Sequence, residues 1–281
     1  MGTETYYVTE TNMGCVSDST ALLVTINTTP SAPAADGDST YCFGETLVNL
    51  TAVAGSGGTL TWYDDGGGGS IGMGASQAPV NAVGTETYYV TETVSGCVSD
   101  STALTVVINA TPSAPAADGD STYCFGETLV NLTATAGSGG TLNWFNSGGA
   151  LGSGATQAVT NAVGAETYYV SETLGSCVSD STALLVTINT TPSAPAADGD
   201  STYCFGETLV NLTATAGSGG TLNWFNSGGA LGSGAGQAVT NAVGAETYYV
   251  SETLGSCVSD STSLLVTINT TPSAPAAFVT A

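Results

Sequence analysis

No lysine, arginine or histidine occurs anywhere in the 281 residues, whereas 23 are Asp or Glu, so the formal charge at pH 7 is −23. Phosphate backbones and anionic lipid head groups are bound through clustered basic side chains, so nucleic-acid binding and charge-driven membrane adhesion are excluded. No side-chain ion pair can form. The usual general base, the Schiff-base amine, the arginine clamp and the imidazole metal ligand are missing too. A carboxylate-pair enzyme would need two acids facing each other across a concave, aromatic-lined surface, and the acids here are thinly spread. The expectation is a protein with no catalytic residue and no bound cofactor. Long apolar runs are also lacking: no stretch of about 18 apolar residues could span a bilayer, and the residues after Met1 have neither the basic region nor the apolar core of a signal peptide.

What is present points to a folded chain. Hydrophobic residues make up 42% and charged residues 8%, the reverse of the balance that keeps chains disordered. With 38 Gly against 9 Pro, and with Thr, Val, Ser and Ala dominating, the composition predicts short strands joined by tight turns.

Internal repetition organises the chain. Residues 28–109 recur as 110–189 and again as 190–269, with lengths of 82, 80 and 80. The last two copies differ only at Ala110/Thr190, Thr156/Gly236 and Ala183/Ser263, while the first departs mainly between Asp64 and Pro79. Near-identity of this kind fits recent duplication of a spacer. Residues 1–27 match the last third of a repeat, and 270–281 read as the linker and first strand of a further, truncated copy. The chain therefore reads as a window cut from a longer array.

A period of about 80 residues exceeds a solenoid coil and suits one small β-sandwich per repeat. In the first full repeat, alternation places Val48, Leu50 and Ala52 on one face of Thr46–Val53. It places Leu60 and Trp62 together on Thr59–Asp64, Tyr88 with Val90 on Thr85–Thr93, and Leu104, Val106 and Ile108 together on Ser101–Asn109. Gly55–Gly58 and Val94–Gly96 occupy hairpin-turn positions. One tryptophan per repeat (Trp62, Trp144, Trp224) stands 20 residues after a cysteine, which suits the core-filling tryptophan of an immunoglobulin-like sandwich. The fold expected is all-β, a tandem array of such sandwiches.

The motifs TYCFGETL, LTWY or LNWF, VGTETYYVTET and GCVSDS resemble the Ig-like, PKD-like repeats of giant Bacteroidota surface adhesins, the type that accompanies gliding and type IX sorting domains. The similarity spans nearly the whole chain. It implies secretion, display at the cell surface and a stalk or filament role, with self-association or neighbouring repeats as partners, and it assigns no catalytic residue. The alternative is an adhesin module in which exposed Tyr89, Tyr169 and Tyr249, with the Gly-rich loops, bind surface glycans.

Seven cysteines, Cys15, Cys42, Cys97, Cys124, Cys177, Cys204 and Cys257, fall two per full repeat plus one in the opening segment. Without a CxxC motif they read as a disulfide framework in an oxidising compartment. Two pairings stay open. One lies within repeats, Cys42 with Cys97, Cys124 with Cys177 and Cys204 with Cys257. If the Gly-rich stretch after Trp62 adds a short strand, the two cysteines of a repeat lie at opposite ends. Cys42 then pairs with Cys177 and Cys124 with Cys257.

The DGD triplets (Asp36 and Asp38, Asp118 and Asp120, Asp198 and Asp200) are candidate calcium ligands after each Pro linker. A pair of carboxylates supplies fewer oxygens than the six to eight calcium wants, and the plainer reading is a solvated turn. Ser19, Ser39, Ser101, Ser121, Ser181, Ser201 and Ser261, each in Asp-Ser-Thr, are candidate O-glycosylation sites. The sequons at Asn49, Asn131 and Asn211 carry little weight in a bacterial reading.

Overall fold

Alternation sets the strands. Thr59–Asp64 turns Leu60 and Trp62 inward, and Thr102–Asn109 does the same with Leu104, Val106 and Ile108. The intervening threonines and tyrosines face outward, as a period of two with β-branched and aromatic residues requires. The computed structural model describes residues 2–66 and 68–275, and all regular structure among them is β-strand. The protein is an array of three tandem Ig-like sandwiches, and it forms two compact units.

The first unit comprises residues 1–114, 137–141 and 172–180 and holds the sandwich of the first full repeat. Its smaller sheet pairs Leu50–Val53 with Ala34–Ala35 on one side and Ser76–Gln77 on the other. Its larger sheet runs in the order Ser39–Cys42, Thr102–Asn109, Gly84–Val94, Thr59–Asp64, Gly72–Met73, with Cys97–Val98 also against Gly84–Val94. Ser39–Cys42 runs parallel to the last strand, with Cys42 opposite Asn109; the remaining pairings are antiparallel. Between the sheets lie Leu50, Ala52, Leu60, Trp62, Tyr88, Val90, Leu104, Val106 and Ile108. The opening segment forms a separate hairpin, Gly2–Val8 against Thr20–Ile26, whose Tyr6, Leu22 and Ile26 are exposed.

The second unit, residues 115–136, 142–171 and 181–281, contains equivalent cores around Trp144 and Trp224. There the edge strand after the tryptophan lengthens to five residues, Gly149–Ser153 and Gly229–Ser233. The Gly-rich stretch thus does add a strand in every full repeat.

One expectation is corrected here. Val48 does not join a core strand: it is 68% exposed, and the strand begins at Leu50. Residues 46–49 carry no regular structure and follow a turn in which Glu45 Oε2 accepts the Cys42 N–H while the Cys42 carbonyl accepts the Glu45 N–H. The first strand expected in 270–281 falls largely on residues 276–281, outside the described residues; Thr270 to Pro275 form no strand.

Candidate functional site

The cysteines occupy opposite ends of each sandwich, which decides their partners. Cys42 ends a strand beside Asn109, and the long strand Gly84–Val94 pairs its Gly84 end with Ile108, so Cys42 lies near that end. Cys97 pairs with Val94, ten residues further along the same strand. At about 3.3 Å per residue the two ends are roughly 30 Å apart, whereas a disulfide spans about 4.4 to 6.8 Å between Cα atoms. The within-repeat pairs Cys42 with Cys97, Cys124 with Cys177 and Cys204 with Cys257 therefore do not form. The structure joins Cys42 to Cys177 and Cys124 to Cys257, each with Cα atoms 5.6 Å apart. Cys15, Cys97 and Cys204 are free thiols. Around each first cysteine the same contacts recur: the Phe125 N–H donates to the Asn189 carbonyl and the Thr191 hydroxyl to the Phe125 carbonyl, as Phe205 does with Asn269 and Thr271.

The DGD triplets prove to be where the chain crosses from the smaller sheet to the larger. Asp36 Oδ2 accepts both the amide and the hydroxyl of Thr51 at 2.8 Å, on the smaller sheet. Asp38 Oδ1 accepts the Thr105 N–H at 2.8 Å, on the larger. Asp118 and Asp120 grip Thr133 and Leu185 in the same way, and Asp198 and Asp200 grip Thr213 and Leu265. The two carboxylates of each triplet thus serve different sheets instead of converging on one ion. Among the described residues no group of three or more acids or cysteines could hold a metal.

One acidic position was missed by sequence reasoning. Glu92, Glu172 and Glu252 are completely buried. In the second repeat Glu172 Oε2 accepts Gly137 N–H at 2.7 Å, Oε1 accepts Gly140 N–H at 2.6 Å, and both oxygens share Ser138 N–H at 3.0 Å. The carboxylate replaces the partners that this hairpin turn's backbone would otherwise find in water. Burial pushes the Glu172 and Glu252 carboxyls upward, but the three donated N–H bonds outweigh it and hold both below the ordinary carboxylate range. The signal was available: Tyr88, Val90 and Glu92 alternate onto the inward face, so an acid stands where an apolar residue belongs. Close approach also requires glycine. A Cβ at Gly140 would come within 2.4 Å of the Thr173 carbonyl oxygen.

Tyr89, Tyr169 and Tyr249, expected to be exposed, are half-buried. Tyr169 stacks on Phe145 and Tyr249 on Phe225, each pair 5.4 Å between centroids and inclined by 13°; Phe225 and Tyr249 are opposite neighbours on adjacent strands. Beside Tyr169 is an open cleft of about 470 Å³ lined by Glu166, Tyr168, Thr160, Val163 and Ile188 among others, and its counterpart beside Tyr249 measures about 460 Å³. Within each cleft Glu166 or Glu246 accepts from an asparagine amide (Asn146 or Asn226) at 2.5 Å and from a tyrosine hydroxyl. The first repeat has Asp64 in place of that asparagine, and its cleft is about 90 Å³. There burial raises the Tyr88 phenol, the Val80 N–H lowers it, and nearby Glu86, Asp64 and Asp65 raise it further; the net shift is upward.

Trp62, Trp144 and Trp224 fill the cores, and each donates its indole N–H to a glycine carbonyl at 2.9 Å. Of the Asp-Ser-Thr serines, Ser19, Ser101, Ser181 and Ser261 are exposed, whereas Ser39, Ser121 and Ser201 are half-buried in strands. No helix among the described residues is long and apolar enough to cross a membrane.

Several solved structures are similar at low identity. A titin I-band fragment, I67–I69, is 11% identical, with 88% of this chain and 100% of that one covered at a TM-score of 0.46. A calcium-stabilised ice-binding adhesin of an Antarctic bacterium is 15% identical over 96% of this chain and 82% of its own, at 0.37. Drosophila N-cadherin EC1–4 is 13% identical over 96% and 84%, at 0.28. No curated protein sequence matches significantly. The family described as "Ig-like domain CHU_C associated" matches three times in tandem, at residues 30–110, 112–190 and 192–272. The chain belongs to this family of Ig-like domains.

Proposed function

We propose that this chain is a non-enzymatic, extracellular structural segment, the stalk or filament part of a cell-surface adhesin of the gliding and type IX secretion type. Its repeats run 28–109, 110–189 and 190–269, flanked by partial copies at 1–27 and 270–281. The observation that supports it is the pair of disulfides, Cys42–Cys177 and Cys124–Cys257, each linking one repeat to the next. Such bonds persist in oxidising, extracellular surroundings, and they serve connection between modules, not the stability of one. Exposed Ser19, Ser101, Ser181 and Ser261 would carry O-glycans in the native source as a hydrated coat. The test is small-angle scattering of chains with two, three and four repeats. A stalk adds an equal increment to the largest dimension with each repeat; a dimension that stays constant refutes the reading.

The twin clefts favour a second reading, binding of neutral surface carbohydrate. Glu166 and Glu246 offer carboxylate acceptors to paired hydroxyls, the tyrosines offer apolar ring surface, and a chain without cations disfavours anionic ligands. Asn146→Asp with Asn226→Asp recreates the first repeat's acid pair and should weaken binding of a neutral oligosaccharide at least tenfold by calorimetry. Unchanged binding, or none by the parent chain, refutes this reading.

A further inference from the structure

The two disulfides overlap along the chain. Cys42–Cys177 closes a separation of 135 residues and Cys124–Cys257 one of 133, and residues 124–177 belong to both covalent rings. We propose that this overlap gives the segment a second function, as a tether of limited extension that survives backbone cleavage. The proposal takes its biological purpose from the stalk reading, but the covalent connectivity behind it stands apart from that reading.

The shortest covalent route from one end to the other runs from Met1 to Cys42, crosses to Cys177, goes backward to Cys124, crosses to Cys257 and continues to Ala281. It uses about 120 residues of the 281. At roughly 3.5 Å per fully extended residue, the oxidised chain stops at about 420 Å even if every sandwich unfolds. The same chain with both bonds reduced reaches about 980 Å at that spacing. A disulfide closed inside each repeat would shorten the chain too, but would leave every linker as a single strand of backbone.

A cut between Cys42 and Cys124 leaves the ends joined through Cys42–Cys177. A cut between Cys177 and Cys257 leaves them joined through Cys124–Cys257, and a cut between Cys124 and Cys177 is bridged by both. No single break between Cys42 and Cys257 separates the two ends. Exposed Glu45, Glu127 and Glu207 place one site for a glutamate-specific protease in each of these three intervals.

The test uses the full chain with free thiols blocked by alkylation. After limited digestion to one cut per molecule, chains cut between Cys42 and Cys257 should stay full-length on the non-reducing gel and resolve into two fragments with dithiothreitol, while a cut after exposed Glu4 or Glu10 sheds only that short N-terminal peptide. Pulled by its termini, the unreduced chain should yield about 420 Å of contour and the reduced chain more than twice that. In Cys177→Ser, a cut after Glu45 should release the N-terminal piece without reductant. Separation under non-reducing conditions of parent chains cut once between Cys42 and Cys257, or full extension without reductant, overturns the proposal. If Cys177→Ser fails to fold, comparison of the oxidised and reduced parent still decides it. Failure of the scattering test with these results intact would sink the stalk reading alone.

Discussion

At the scale of single residues, the buried glutamate carries the most specific chemistry. The Glu172 carboxyl titrates below its ordinary value in the folded state, so its contribution to stability is fully present above that ordinary value. It is lost as pH falls through the lowered one. Glu172→Gln should therefore lower the melting temperature by several degrees at pH 7, with the gap to the parent closing below about pH 4. A gap that stays constant down to pH 2 would show that the charge is not what the Gly137–Gly140 turn needs. Trp144→Ala removes a fully buried ring and its indole hydrogen bond to the Gly154 carbonyl. Chemical denaturation should show a loss of about 3–5 kcal/mol, confined to the transition of that repeat.

At the scale of elements, one hairpin is built with two different turns. In the first repeat Ser95 and Gly96 both take positive φ, +48° and +84°, the type I′ pattern. In the second and third repeats the order is reversed. Gly175 and Gly255 alone are positive, at +62° and +63°, the type II′ pattern with glycine first. All three turns still deliver the following cysteine, Cys97, Cys177 or Cys257, into register opposite Val94, Leu174 or Leu254. Ser95 carries a left-handed conformation that an L-residue other than Gly or Asn adopts at a cost of roughly 1–2 kcal/mol. Ser95→Gly should recover part of this, whereas Gly175→Ala should lose a similar amount; equilibrium unfolding of the two variants, measured side by side, gives opposite signs. Two shifts of the same sign would contradict the turn assignment.

At the scale of the whole molecule, 23 negative charges face no positive side chain, so screening removes repulsion and no attraction. Melting temperature should rise or hold as sodium chloride is added, and a steady fall would contradict this. Trypsin, with no Lys or Arg to cleave after, should leave even the urea-unfolded chain intact.

The amino-acid order by itself determined the strand Thr59–Asp64, the last strand to within one residue of its observed start at Thr102, and the tryptophan in each core. Those features are local: a period of two puts Leu60 beside Trp62 whatever the rest of the chain does. Other features depended on which distant backbone comes near. The DGD acids read as a solvated turn or an ion site until the crossover between sheets set Asp36 against Thr51 and Asp38 against Thr105. Glu92 broke the apolar alternation visibly, yet only the turn at Gly55–Gly58 gives it a role. The cysteines show the difference most sharply. Their spacing admits both pairings, because distance along the chain carries no direction. Only the parallel placement of Ser39–Cys42 beside the last strand puts the two cysteines of one repeat at opposite ends, out of each other's reach, and leaves each to a neighbouring repeat.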